Sequence, residues 1–212
     1  RLNNILVAHL EGGERSGTID ESIRHAVSKF ANYHFVCNED ALKVLINMGE
    51  EKKHIFNIGS ADMDYIVEGN FPYIEKAKKK YDFSFENYGI VLFHPVTTNL
   101  QQTKKYCQIM VDAIIKTELN FIVIDPNNDL GSDYIRSLYS EKLDGNSNFR
   151  RFPSLDFEYF LSLLNSASIL IGNSSAGIRE APYFKTSCIN LGSRQNGRLN
   201  FEQPSIFNYS LP

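Results

Sequence analysis

Cysteine is scarce in this chain, and so are long apolar runs and any surplus of positive charge. Its 212 residues hold three cysteines, Cys37, Cys107 and Cys188, far apart and in or beside apolar stretches (HFVC, KYCQIMV, SCINL). An odd number at such spacing supports neither a disulfide framework nor a zinc site, and predicts buried thiols in a reducing compartment. No cluster of His or Asp has ligand spacing, so no metal is expected. No segment approaches the ~18 uninterrupted apolar residues of a membrane span. Lys and Arg number 22 against 25 Asp and Glu, a net charge of −3, so the basic footprint that nucleic acid requires is missing. The expectation is a cytoplasmic protein with no nucleic-acid or membrane partner, because the opening run ILVAHL also lacks the regions of a signal peptide. That run follows Arg1 almost directly, with no initiator Met, which suggests a chain that begins part-way through a larger protein. A small anionic ligand stays open, since it needs only local positive potential.

What is present is alternation. Short β-prone runs are followed by amphipathic helical patterns from end to end, which predicts an α/β chain of parallel sheets covered by helices. Ile5 to His9 reads as a strand, Asp20 to Phe30 as a helix with Ile23, Ala26, Val27 and Phe30 on one face, and Tyr33 to Cys37 as the next strand. Asn38 caps a helix that turns Leu42, Leu45 and Ile46 inward and stops at Gly49. After the strand Ile55 to Ile58, residues 69–86 lose their apolar period and become rich in Lys, Tyr and acids. The domain boundary is expected there, giving domains 1–82 and 83–212. The second series runs through strand Ile90 to Phe93, a helix around Tyr106 to Lys116, strand Phe121 to Asp125 and the turn PNND. Helix Leu155 to Leu164, strand Ser168 to Ile171 and strand Cys188 to Leu191 complete it.

The loops HLEGG, HPVTT, PNND, GNSS and GSRQNGR all fall where a strand ends. Ligands of open α/β sheets bind beyond the carboxyl ends of strands, so these loops are expected to converge on one cleft. In LIGNSSAGIREAP, Ser174 and Ser175 would open a short helix with free N–H groups that attract a phosphate, and Gly172 and Gly177 would let the backbone come close to it. Glu180, one turn later, suits the vicinal hydroxyls of a ribose. A Ser-capped helix after a strand fits the same residues. Arg194 is the natural cation for the diphosphate, since guanidinium donates two parallel bonds to phosphate oxygens. His94, stiffened by Pro95, can hydrogen-bond a phosphate and, if protonated, neutralise charge on a leaving group; a single strand-end His also serves structure alone. The segment from His9 to His25 concentrates acids, histidines and glycines in one loop. Glu11 at the strand end and Asp20 in the first helical turn are the candidate acid/base pair. Equally, Thr18 and Glu21 fit a capping box, and Asp20 then only complements the helix dipole.

Taken together, HLEGGERSGTIDESIRHA, FHPVTT, LIGNSSAGIREAP and INLGSRQNGR resemble the UDP-N-acetylglucosamine 2-epimerases, especially the hydrolysing type that opens sialic acid biosynthesis. They occur in the family's order and span residues 1 to about 200. The resemblance implies two Rossmann-like domains facing across a cleft (GT-B-like), with the first domain incomplete, and UDP mainly on the second. Carried onto the matching positions, Ser174 and Ser175 hold the diphosphate, Glu180 the ribose, and His94 and Arg194 the phosphates. Glu11 and Asp20 match acids near the sugar, and His94 counts with them as catalytic. The implied chemistry is loss of the C2 proton with departure of UDP, then hydration with inverted C2 configuration, giving ManNAc and UDP without a cofactor. A homo-oligomer, dimer or tetramer, is expected from relatives. The Gly, Thr and Arg-bearing opening loop of the family would precede Arg1, and the tail NFEQPSIFNYSLP does not resemble the usual closing elements, so truncation at both ends is expected. Alternatives are a non-hydrolysing 2-epimerase, a hydrolysing enzyme acting on a UDP-diacetamido-trideoxyhexose, a sugar-nucleotide glycosyltransferase of the same architecture, and an inactive UDP-binding fragment.

Overall fold

Segments such as YHFV and FIVI carry β-branched and aromatic side chains that pack well on a pleated surface, and between them lie helix formers with apolar residues about every three to four positions. The computed structural model describes residues 3–16, 18–198 and 205–211, and it resolves this pattern into two compact α/β units. The first comprises Arg1–Gly69 with Asn196–Arg198, and the second Asn70–Gln195 with Leu199–Pro212. Among the described residues no helix is long and apolar enough to cross a membrane.

The first unit runs β1 (Ala8–Leu10), α1 (Ile19–Phe30), β2 (Tyr33–Val36), α2 (Glu39–Asn47), β3 (Ile55–Asn57) and α3 (Ala61–Glu68). Its three strands are parallel in the order β1-β2-β3. β1 is shorter than the expected Ile5 to His9. Its ladder partner β2 starts at Tyr33, opposite Ala8, and before it Asn32 N–H and Tyr33 N–H already donate to Val7 O, so no ladder is left for Ile5 and Leu6, which are exposed. Asn38 caps α2 as expected, its Oδ1 accepting Ala41 N–H at 2.8 Å. Val36, Ala41, Leu45 and Ile55 form a buried apolar cluster in this unit, whereas Ile23, Val27 and Phe30 on α1 are exposed.

The second unit runs α4 (Ile74–Tyr81), β4 (Gly89–Leu92), α5 (Leu100–Lys116), β5 (Phe121–Ile124), α6 (Ser132–Lys142), β6 (Phe149–Phe152), α7 (Phe157–Ser166), β7 (Ile169–Gly172), β8 (Ser187–Leu191) and β9 (Ile206–Tyr209). All six strands are parallel, in the order β6-β5-β4-β7-β8-β9. Numbered within the unit this is 3-2-1-4-5-6, the doubly wound dinucleotide-binding order. α5 buries Tyr106, Cys107, Met110, Val111 and Ile114 against the sheet. Burial pushes the thiols of Cys107 and Cys188 up to about 12, so both are inert packing groups.

Two elements lie elsewhere than composition suggested. The units part at Gly69, not after residue 82, because the Lys-rich segment packs as α4 on α7. Lys80 pairs with Asp156 and sits 4.1 Å over the Tyr159 ring, while Tyr81 meets Phe152 and Tyr159 edge-on. Strand β6 was hidden by its sequence, FRRF. It is an edge strand, where the exposed Arg150 is tolerated, and the half-buried Arg151 forks onto Asp125 of the adjoining β5 exit at 2.6 and 3.2 Å. Part of the unusual tail supplies the sixth strand, β9. Asn200 to Pro204 and Pro212 of that tail, and Gly17 of the acidic loop, lie outside the described residues.

Candidate functional site

In the second unit the chain leaves β4 through β5 and β6 on one side and returns to β7, β8 and β9 on the other. The crevice between the carboxyl ends of β4 and β7 is therefore the topological switch point, where this sheet type binds ligands. His94 follows β4 by two residues and Asn173 follows β7 directly.

Asn173 ties the crevice together. Its Oδ1 accepts His94 N–H at 2.7 Å, and its Nδ2 donates to His94 O at 2.8 Å, while Asn173 N–H donates to Leu92 O at 3.2 Å. The side chain thus continues the β4–β7 ladder past the point where the strands diverge. Its own carbonyl accepts Gln195 Nε2 at 2.7 Å and Arg194 Nη1 at 3.3 Å, both from the loop after β8. Gly172 makes this closeness possible. Its φ is +150°, and a Cβ there would lie 2.0 Å from Leu92 O. A Cβ on Gly177 would meet Cys188 Sγ at 2.4 Å. Both glycines serve close packing within the protein, a use that differs from the ligand approach expected of them.

Ser174 and Ser175 stand where expected, yet the helix they were to open is a 3₁₀ turn of three residues, Ser175–Gly177. Ser174 Oγ accepts Ala176 N–H at 3.3 Å, so that amide is already engaged. Three residues carry little aligned dipole. No extended helix terminus is therefore formed here. Glu180 is buried beyond this turn.

His94 Nδ1 accepts the backbone N–H of Asn127 at 3.1 Å. That leaves the ring proton on Nε2, and the ring neutral. Burial, together with the neighbouring Arg194 guanidinium, lowers its pKa to about 4. The charged imidazolium considered from sequence is thus replaced by a neutral N–H donor. Beside His94 lies a cavity of about 610 Å³, lined by Leu155, Phe157, Asn127, Asn128 and Arg136 among others. Its size suits a small-molecule ligand.

The first unit holds the candidate acids. Glu11 follows β1 directly and takes a left-handed φ of 59°, with its N–H donated to Phe35 O at 2.8 Å. Its carboxylate lies 3.5 Å from Ser60 Oγ and lines a second cavity, of about 310 Å³, with Phe35, Ile58, Gly59 and Asp62. Asp20 is exposed in the first turn of α1 and accepts Thr18 Oγ1–H at 3.0 Å. Thr18 makes no side-chain bond to the helix amides, and Glu21 instead accepts Ser16 N–H at 2.7 Å, so the capping box is not formed. Among the described residues no group of three or more His, Cys, Asp or Glu could hold a metal ion.

Sequence reasoning named the loops but missed the side chains that join them: Asn173, Gln195, Asn127 and Arg136. The signal was partly there, in an Asn immediately past a strand and a PNND turn at another strand end.

Comparison with known proteins agrees with this architecture. The family model described as UDP-N-acetylglucosamine 2-epimerase matches residues 1–203. The UDP-N-acetylglucosamine 2-epimerase of Neisseria meningitidis serogroup B is 46% identical over 198 residues, 93% of this chain and 52% of that protein. A Legionella pneumophila protein named UDP-N,N'-diacetylbacillosamine 2-epimerase (hydrolyzing) is 37% identical over 196 residues, 92% of this chain and 52% of its own. The structure of the Methanocaldococcus jannaschii UDP-GlcNAc 2-epimerase in complex with UDP-GlcNAc and UDP shares the fold, with a TM-score of 0.75 at 20% identity, over 99% of this chain and 59% of that one. The chain thus spans about half the length of the curated relatives it matches. With the match running through both units and through every strand-end loop of the site, this chain belongs to the UDP-N-acetylglucosamine 2-epimerase family.

Proposed function

We propose that the second unit binds the UDP moiety of a UDP-amino sugar, and that the protein is a hydrolysing UDP-N-acetylglucosamine 2-epimerase. The observation that carries the reading is the Asn173 junction at the switch point. It joins the His94 loop, the serine loop and Arg194, three sources of donors that suit a diphosphate, next to a cavity that suits the nucleoside. Ser174, Ser175, His94 and Arg194 take the diphosphate, and Glu180 takes the ribose. Glu11 and Asp20 jointly move protons at C2. One carboxylate removes the C2 proton, the C–H pair becomes the C1=C2 bond, and the C1–O bond breaks with its electrons leaving on UDP. Water then adds its hydroxyl to C1, and a proton reaches C2 from the opposite face, giving ManNAc. A C2 proton is weakly acidic, so the barrier falls mainly through donors that stabilise the departing diphosphate.

The GERSGTIDESIRH form of the acidic loop favours the hydrolysing branch, as does the Legionella relative whose name includes hydrolyzing. That relative also supports a UDP-diacetamido-trideoxyhexose as the alternative substrate. The higher identity to the Neisseria protein, whose name carries no such word, supports the non-hydrolysing reading.

The test is turnover of UDP-GlcNAc in deuterated water followed by NMR. Released ManNAc with deuterium at C2 is expected; retained protium there sinks the elimination mechanism, and recovery of UDP-ManNAc instead selects the non-hydrolysing branch. Glu11→Gln should abolish turnover while nucleotide affinity is kept, and wild-type rates in that variant would remove Glu11 from the chemistry.

A further inference from the structure

The Pro126–Asn127 peptide unit is gripped at both ends. Its N–H, on Asn127, donates to His94 Nδ1 at 3.1 Å, and its carbonyl, on Pro126, accepts Arg136 Nη2 at 3.1 Å. The peptide is planar and trans, so the two groups point in opposite directions, and fixing the carbonyl fixes the N–H. Arg136 reaches the loop from α6. Its Nη2 also donates to Asn128 Oδ1 at 2.6 Å and to Asn127 O at 3.3 Å, while Nη1 is braced on Ser132 Oγ at 3.0 Å and Asp133 Oδ1 at 3.4 Å.

We propose that Arg136 is a positioning residue that sets the tautomer of His94 through this peptide. A cation on the carbonyl polarises the amide and strengthens its N–H as a donor, and the donor in turn keeps Nδ1 free of a proton. His94 is then held as the Nε2–H form, with its one donor on the side away from Asn127. If the peptide flipped, a carbonyl would face the ring, Nδ1 would carry the proton, and Nε2 would become an acceptor that repels an anion. Arg136 prevents that flip because three acceptors of consecutive residues share one of its nitrogens. The role of the Nε2 donor toward phosphate rests on the proposed nucleotide reading; the tautomer does not.

The experiment is long-range ¹⁵N–¹H NMR of the full chain at neutral pH, which separates the two histidine tautomers by their nitrogen shifts. The wild-type protein should show His94 as Nε2–H. In Arg136→Met, with folding checked by circular dichroism, the Nδ1–H form should become populated. Binding of UDP should weaken by roughly tenfold or more, the scale of one hydrogen bond to a charged group. Asn128→Ala removes the shortest loop contact of the guanidinium at no change in charge, and should shift the tautomer balance in the same direction; it decides the matter if Arg136→Met does not fold. An unchanged His94 tautomer in a folded variant overturns the proposal, whatever happens to UDP. Failure of the wild-type chain to bind UDP would instead strike the nucleotide reading and leave the tautomer result standing.

Discussion

His94 titrates far from its ordinary 6.5 because burial and the Arg194 guanidinium both disfavour its charged form, and it stays neutral down to about 4. Between those two values the unfolded chain takes up a proton that the folded one refuses, so folding stability rises with pH across this window and is lost as pH falls through it. His9 and His34 in the first unit are lowered too, chiefly by burial, and act in the same direction. Replacing His94 by Gln should therefore flatten part of the stability difference between pH 4.5 and pH 7.5 in urea unfolding. An unchanged difference would mean that His94 takes up its proton in the fold as it does in the unfolded chain. The position of His94 was legible from its place after a strand, but its charge was not. Neutrality comes chiefly from burial, with the Arg194 guanidinium adding to it, and the tautomer from the Asn127 N–H, a contact that spans 33 positions of sequence. The same holds for Asn173, whose partner His94 is 79 positions away.

Elements were legible where periodicity and caps agreed. α2 was read from Asn38 to Gly49, and its cap forms as expected. Where polar chemistry dominated the sequence, tertiary packing decided. FRRF pairs as a strand because β5 offers a ladder, and the Lys-rich α4 is helical because α7 gives it an aromatic surface. The Gly12-Gly13 turn that follows Glu11 is tightly packed. Gly13 has φ +78°, and a Cβ would sit 2.3 Å from Ala41 O of α2. Gly13→Ala should cost the first unit about 2 kcal/mol or more, from a left-handed non-glycine residue plus displacement of α2. Hydrogen exchange of β2 amides reads this directly, and wild-type protection in the variant would count against the packed turn.

At the scale of the whole molecule the two units are unequally built. The first has a buried apolar cluster of Val36, Ala41, Leu45 and Ile55, and it leaves Ile23 and Phe30 of α1 exposed at 57% and 62%. The second packs α5 and α6 on the sheet through Val91, Phe93, Val111, Ile114, Ile135 and Tyr139, all essentially buried. Since local opening follows buried apolar contact, amides of β2 should exchange in native-state hydrogen exchange before those of β5, and equal protection would refute this ranking. By itself the sequence determined the alternation of strands and helices and the chemistry of the loops between them, because side-chain periodicity, caps and turn residues act over a few neighbours. The strand order, the side-chain junction at the β4–β7 crevice and the proton state of His94 were decided only by the tertiary structure. Each depends on groups distant in sequence, and only the packed sheet, with its low-dielectric interior, brings them within hydrogen-bond reach.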